Sequence, residues 1–271
     1  MITHAEVPLS QYWEQRARHY ARRGAGLAAI CSYGMPPFYN LFIDICQRLA
    51  LRPWLQQATG REALDLGCGV GRWSLRIARR TLRVTGVDLS PTMVAEATRR
   101  AERRGLAAKC RFLVADAGQL ALGRRFGFIL GVTLLQHILD DAKLDAAVHA
   151  IQGHLAEDGL LVLLEAAPSH PVTRCDTAVF RARSVDTYRS VFRRAGLSLV
   201  AMTGVDPAPF KTLLLPHYKA LPGALQIPAL AAVTGASLAV DLPLGRKWVS
   251  RSWHKVFVLR RTGGSERQRK E

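Results

Sequence analysis

The residues best placed to do chemistry are a run of glycines and the acids around it. The stretch LDLGCGVGR, residues 64–72, ends an apolar run in Asp65 and then sets Gly67, Gly69 and Gly71 at alternate positions. A second apolar run closes on Asp88 in VDLS, residues 87–90. Glycines so spaced let the backbone approach a ligand, and an acid at the end of the following strand is placed to accept two ribose hydroxyls. Dinucleotide sites favour G-x-G-x-x-G, with a helix N-terminus aimed at a pyrophosphate. Here the pattern is D-x-G-x-G-x-G. A carboxylate beside the loop repels a pyrophosphate and suits a ligand carrying ammonium and sulfonium groups.

The elements that must carry these residues alternate regularly between strand and helix. Strands are predicted over 62–66, 82–88, 110–115, 126–131, 159–165, 197–203 and 252–260, the fifth preceded by a turn at Glu157-Asp158-Gly159. Helices are predicted over 71–80, from Ser90-Pro91 to Arg104, over Asp140–Ala156 and over 184–195. Ser90 supplies an N-cap followed by Pro at the first turn, and Asp140-Asp141 reads as another cap with favourable dipole charge. The fifth strand, GLLVLLE, is almost wholly apolar, as a central strand covered on both faces would be. The expected fold is α/β: a Rossmann-like, seven-stranded, mostly parallel sheet flanked by helices, with a hairpin joining the last two strands. Residues 61–204 and 251–262 form this core, preceded by a helical cap over 1–60 and interrupted by an insertion over 205–250. Residues 263–271 read as a disordered basic tail.

LDLGCGVGR resembles motif I of the class I S-adenosylmethionine (SAM)-dependent methyltransferases, and VDLSPTMVAEA resembles the ribose-binding segment after it. The resemblance, closest to small-molecule enzymes of this superfamily, implies SAM as cofactor and S-adenosylhomocysteine as product. It places Asp65, Gly67, Cys68 and Gly69 around the methionine moiety, Asp88 on the ribose, and Leu89 and Met93 along the adenine. FLVADAGQL resembles the third motif, in which Asp116 accepts from the adenine amine and Ala117 offers its backbone N–H. Tyr12, Arg16 and Tyr20 lie on an N-terminal helix that in many relatives closes over the cofactor carboxylate.

On the acceptor side, ILGVTLLQHI, residues 129–138, resembles the segment facing the transferred methyl group, with Gly131 and Val132 touching the cofactor through backbone. His137 is the candidate catalytic base, since a neutral imidazole is tuned to take a proton from an O or N nucleophile. Glu165 is the second candidate. Methyl transfer is an in-line displacement, so alignment and exclusion of water carry most of the catalysis. An Asn or Asp followed by Pro-Pro and an aromatic is absent after the fourth strand, where Gly131-Val132-Thr133-Leu134 stands, which argues against exocyclic amines of nucleobases as targets.

At 271 residues the chain is predicted to form one domain with insertions. Its five cysteines show neither disulfide nor metal-ligand spacing, and the first twenty residues lack an apolar core. A cytoplasmic protein without a metal is the expectation. The net charge of +17 comes chiefly from scattered arginines, which read as solvated helix faces rather than a nucleic-acid surface. Between Leu221 and Val240 there is no charged residue, but Pro222, Gly223, Pro228 and Gly235 interrupt the stretch. It reads as an apolar lid over the active site, with a peripheral membrane contact through Arg246 and Lys247 as the alternative. The function this suggests is methyl transfer to O, N or C of an apolar or amphiphilic small molecule in specialised metabolism. An RNA or protein methyltransferase and a noncatalytic SAM-binding scaffold are the alternatives.

Overall fold

The computed structural model describes residues 8–32, 34–169, 178–215 and 217–263. Three helices come first: α1 (Leu9–Tyr20), α2 (Leu27–Ile30) and α3 (Pro37–Leu55). Then follow β1 (Glu62–Leu66), α4 (Ser74–Ile77), β2 (Arg83–Asp88), α5 (Pro91–Arg103), β3 (Cys110–Val114) and β4 (Phe126–Val132). The second half runs α6 (Asp141–Gly153), β5 (Leu155–Ala166), α7 (Val185–Arg194), β6 (Leu197–Gly204), α8 (Phe210–Leu214), α9 (Gly223–Leu244) and β7 (His254–Arg261). The seven strands form one sheet in the order β3-β2-β1-β4-β5-β7-β6. The pairs from β3 to β5 are parallel, whereas β7 runs antiparallel to both β5 and β6. Strand order reverses between β1 and β4, and ligands of such sheets bind at the carboxyl ends beside that reversal.

Strand periodicity divides the core in two. Leu64, Leu66, Ile129, Leu161, Leu163, Phe257 and Leu259 face α6 and α7. Ala63, Phe128, Leu130, Val162, Leu164, Val256 and Val258 face α3 and the Trp73–Ala78 segment. Burial on both faces is why the central strands are nearly all apolar. The caps foreseen at Ser90 and Asp140 form, accepting from Met93 N and Lys143 N. Two elements differ from expectation. The helix after the glycine loop is a single turn, because Asp65 Oδ2 accepts from both Ser74 N (2.8 Å) and Ser74 Oγ (2.5 Å) and so fixes the start at Ser74. The turn expected at 157–159 lies inside β5, where the pairing jumps from Phe126↔Leu155 to Phe128↔Leu160 and the extra residues bulge out.

The N-terminal helices are tied onto the core by long-range polar contacts. Arg100 of α5 pairs with buried Glu96 (2.6 Å) and donates to Ala25 O (2.6 Å) and Ala21 O (2.8 Å), which caps the C-terminal end of α1. Arg16 donates to Ala28 O and Cys31 O and binds α2 to α1. Residues 264–271, where a basic tail is expected, lie outside the described residues.

Arg100→Ala strands Glu96 with its more exposed neighbours and frees the carbonyls of 21 and 25. The unfolding free energy from urea titration is expected to fall by about 3 kcal/mol. Amide exchange should accelerate first over residues 9–31.

Candidate active site

The carboxyl ends of β1, β2 and β4 and the turn after β3 open onto one cavity, closed from outside by α1 and α2. Gly67, Cys68 and Gly69 line it, as do Asp88, Leu89, Met93, Asp116, Ala117, Val132 and His137. These ten residues come from four separate stretches that the sequence singled out, and the fold brings them together. Gly67 (φ 62°) and Gly69 (φ 52°) adopt left-handed backbone. A Cβ on Gly69 would meet Ile30 Cγ2 at 2.5 Å, and one on Gly67 would meet Leu134 Cδ1 at 3.0 Å. Any side chain here would collide with the walls of the cavity.

The acids hold backbone before they hold anything else. Asp88 Oδ2 accepts from Gly69 N (2.8 Å) and Oδ1 from Ser90 N (2.9 Å), which joins the glycine loop to the cap of α5. Burial raises its pKa, and these N–H groups oppose the rise. Asp116 Oδ1 accepts from Gly118 N at 2.7 Å and caps the turn that carries Ala117. Each carboxylate oxygen keeps a second lone pair for a ligand.

His137 is half-buried against the cap. Its ring stands edge-on to Trp13, with centroids 4.9 Å apart, and its Nδ1 lies 2.6 Å from Val179 O. A carbonyl only accepts, so Nδ1 carries the proton and Nε2 keeps the free lone pair. Burial, helped by the charge of Arg16 and opposed by the Val179 bond, lowers the pKa to about 4. The imidazole is therefore neutral at ordinary pH.

Five expectations are corrected. Asp65 does not line the cavity: it is 1% exposed and turned onto Ser74, and burial lifts its pKa to about 7. Gly131 also lies off the cavity, beneath Leu163, and the backbone lining there is Val132-Thr133. Tyr12 and Tyr20 are not lining residues. The face of α1 turned inward presents Leu9 and Trp13, one position from Tyr12, which packs edge-on against Trp13. Glu165 is fully buried and accepts from the backbone N–H groups of Leu134, Leu135 and Gln136 at 3.1, 2.9 and 3.2 Å. It positions the loop that carries His137. Finally, no residue of 205–250 lines the cavity among the described residues; α9 packs against α3 and α8, and the elements that cover the cavity are α1 and α2.

Three lining residues had no place in the sequence reading. Arg72, last in LDLGCGVGR, donates Nη1 to Asp44 Oδ1 (3.1 Å), while its buried Nε makes no hydrogen bond among the described residues. An unpaired guanidinium N–H beside the glycine loop is suited to a ligand carboxylate. Thr133, at φ 54°, is the sole non-glycine with positive φ among the described residues, and such strain collects at functional sites. Trp13 would have been reachable from helical spacing, since it shares a face with Leu9 and Arg16. Glu14, next to Trp13, accepts from Ser90 Oγ, Thr92 N and Thr92 Oγ1 at 2.6, 3.1 and 2.6 Å. Burial alone would raise its pKa, but these bonds and Arg18 outweigh it and hold Glu14 at about 2. The carboxylate thus latches α1 to the start of α5.

Residues 63–159 match the methyltransferase domain family. The chain is 30% identical over 145 residues to the 23S rRNA (uracil(1939)-C(5))-methyltransferase RlmD of Aeromonas hydrophila, covering 53% of this chain and 30% of that protein. It is 38% identical over 110 residues to demethylmenaquinone methyltransferase of Thermus thermophilus, covering 40% of this chain and 48% of the relative. The match thus spans less than half the length of these curated relatives. Among solved structures, the CcbJ methyltransferase from Streptomyces caelestis superposes with TM-score 0.62 at 17% identity over 95% of this chain and all of that one. The [4+2]-cyclase SpnF superposes with TM-score 0.57 at 23% identity over 81% of each chain. These likenesses show the class I methyltransferase fold.

His137 should appear by nitrogen-detected NMR as the neutral Nδ1–H tautomer down to about pH 4. An unfolded histidine takes its proton near pH 6.5, so the unfolded state binds more protons between those values. This group's contribution is full above pH 6.5 and is lost as pH falls towards 4. Thermal melts of His137→Gln should therefore lose less stability than wild type across that window.

Proposed function

We propose that this chain, which carries a methyltransferase domain on the class I SAM-dependent fold, moves a methyl group from SAM to O, N or C of an apolar or amphiphilic small molecule. The observation that carries the reading is the single cavity in which the glycine loop, Asp88, the Asp116-Ala117 turn and a neutral His137 meet. The donor set suits the parts of SAM. The unpaired Nε of Arg72 and the loop Gly67–Gly69 would take the amino-acid end, and Asp88 the ribose. Leu89, Met93 and Ala117 would enclose the adenine, with Asp116 at its amine. When bound, SAM supplies an electrophilic methyl group on a sulfonium centre.

The chain's own residues then have three tasks. Trp13, Ile30 and Leu134 exclude water from the cavity, which strengthens every polar contact inside it. Glu165 fixes the Leu134–Gln136 turn and so sets the position of His137. The Nε2 lone pair of His137 takes the proton from an acceptor hydroxyl or amine as the new bond forms. An apolar acceptor is supported by Trp13, Val132, Leu134 and Ile138 around the imidazole. An RNA acceptor is the second reading, favoured by the similarity to an rRNA methyltransferase and by a groove lined by Arg48, Arg52, Arg79, Arg80 and Arg104.

Calorimetry should detect S-adenosylhomocysteine binding, weakened roughly tenfold or more in Asp88→Asn by loss of charge-assisted hydrogen bonds. With methyl-labelled SAM and a cell extract, label is expected in the solvent-extractable small molecules. His137→Gln should cut that turnover by about a hundredfold with cofactor affinity unchanged. Label confined to RNA would establish the second reading instead. Intact binding with no transfer to any fraction would leave the scaffold alternative.

A further inference from the structure

Helix α9 is built inside out. Its buried positions are Leu230, Thr234, Ser237 and Asp241, a stripe at helical spacing. Of the four polar side chains between Gly223 and Leu244, three lie in that stripe and only Gln226 lies off it. Thr234 Oγ1 donates to Leu230 O of its own helix at 2.6 Å, Asp241 Oδ1 accepts from Ala208 N at 2.8 Å, and buried Ser237 Oγ makes no hydrogen bond among the described residues. The opposite face exposes Leu225, Ala232, Gly235, Ala236, Ala239 and Leu242. Only 22% of the most apolar 18-residue window is buried. A helix that is apolar on its outer face needs an apolar neighbour.

The surroundings say which neighbour. Between Pro207 and Ser252 the sole acid is Asp241, which is 4% exposed and turned inward. Arg246, Lys247 and Arg251 stand at the C-terminal end, with Arg251 stacked 4.8 Å over the half-exposed ring of Trp248. The same strip on a second copy of this chain brings no negative charge, whereas an anionic bilayer brings both charge and an apolar layer. Twenty-two residues, about 33 Å of helix, suffice to cross a bilayer. Both ends of the helix, however, return to β6 and β7, which are neighbours in one sheet. A single crossing would leave those strands on opposite sides of the membrane, so the helix must lie along it.

We propose that the outward face of α9 docks this protein on an anionic lipid surface. Leu225 and Leu242 enter the acyl boundary, and Arg246, Lys247 and Arg251 sit among the headgroups with Trp248. This attachment is independent of the acceptor and of the cofactor.

The test is co-sedimentation of the full chain with phosphatidylcholine vesicles containing phosphatidylglycerol, and with phosphatidylcholine alone. Wild type is expected to bind the anionic vesicles and to leave them as salt is raised. Arg246→Gln with Lys247→Gln should lower the partition coefficient about thirtyfold. Leu225→Glu with Leu242→Glu should abolish binding while melting like wild type, because both positions are exposed (54% and 47%). The fluorescence blue shift on vesicle addition should be lost in Trp248→Phe. Failure of wild type to sediment would overturn the proposal, as would unchanged binding by the leucine variant. Light scattering that shows a dimer dissociated by the leucine substitutions, without vesicle binding, would assign the face to a second copy and overturn it as well.

Discussion

The carboxylate that ends a strand and grips backbone N–H groups is the interaction on which the rest of this fold depends. Asp65 at the end of β1 takes Ser74, and Asp88 at the end of β2 takes Gly69 and Ser90. Asp116, just past β3, takes Gly118, and Glu165 near the end of β5 takes three successive amides. Parallel strands must all leave the sheet at the same edge, where their loops have no ladder to satisfy their N–H groups. Acids at that edge supply the acceptors. They also make the edge a rigid rim, with donors and acceptors already aimed, and preorganisation of this kind is what a binding site requires.

This double use explains what could and could not be read from sequence. The strands, their order of polarity and the caps at Ser90 and Asp140 follow from periodicity and local chemistry. The glycine loop, Asp88 and Asp116 reach the cavity because strand ends are its walls. Asp65 stays off the cavity because alternate residues on a strand face opposite sides, and its side chain is turned onto buried Ser74. Tyr12 fails by one position because an aromatic on a short helix gives no sign of which face will turn inward; the packing of Trp13 on His137 decides it. Glu165 shows the same limit from the other side. An acid at a strand end reads alike whether it will meet a substrate or three backbone amides.

The covering of the cavity shows how tertiary contacts override composition. By composition the apolar insertion is the natural candidate for a cover, and its prolines and glycines argue against a membrane span. In the structure α9 is continuous through Pro228 and Pro243. Pro228 lies near the N-terminal end, where only one ladder bond is forfeited, and Pro243 lies in the last turn. The cover is instead the Arg-rich N-terminal segment, which buries few large apolar groups and is held chiefly by Arg16, Arg100 and Glu14. A cover fastened by polar contacts at its edges can open without exposing a large apolar surface, and that suits a segment through which ligands must pass.

The same bonds bear on the meaning of the net charge. Three acids in this chain each gather more than one guanidinium group: buried Asp44 has Arg48, Arg72 and Arg76 within 3.1 Å, and buried Glu96 has Arg99 and Arg100 at 2.6 Å with Arg103 farther out. Asp141 binds Arg181 and Arg183. A buried carboxylate with two oxygens and four lone pairs is best satisfied by more than one forked donor. Three acids thus account for eight arginines, a surplus of five positive charges that is structural in origin. The excess charge is not by itself a surface for polyanions. Two cationic surfaces stand out in the fold, the arginine-lined groove beside α3 and the end of α9. The groove carries the exposed Leu41 and Leu49, whereas the cationic end of α9 adjoins the outward apolar face of a 22-residue helix, and charge beside so long an apolar face suits a lipid boundary.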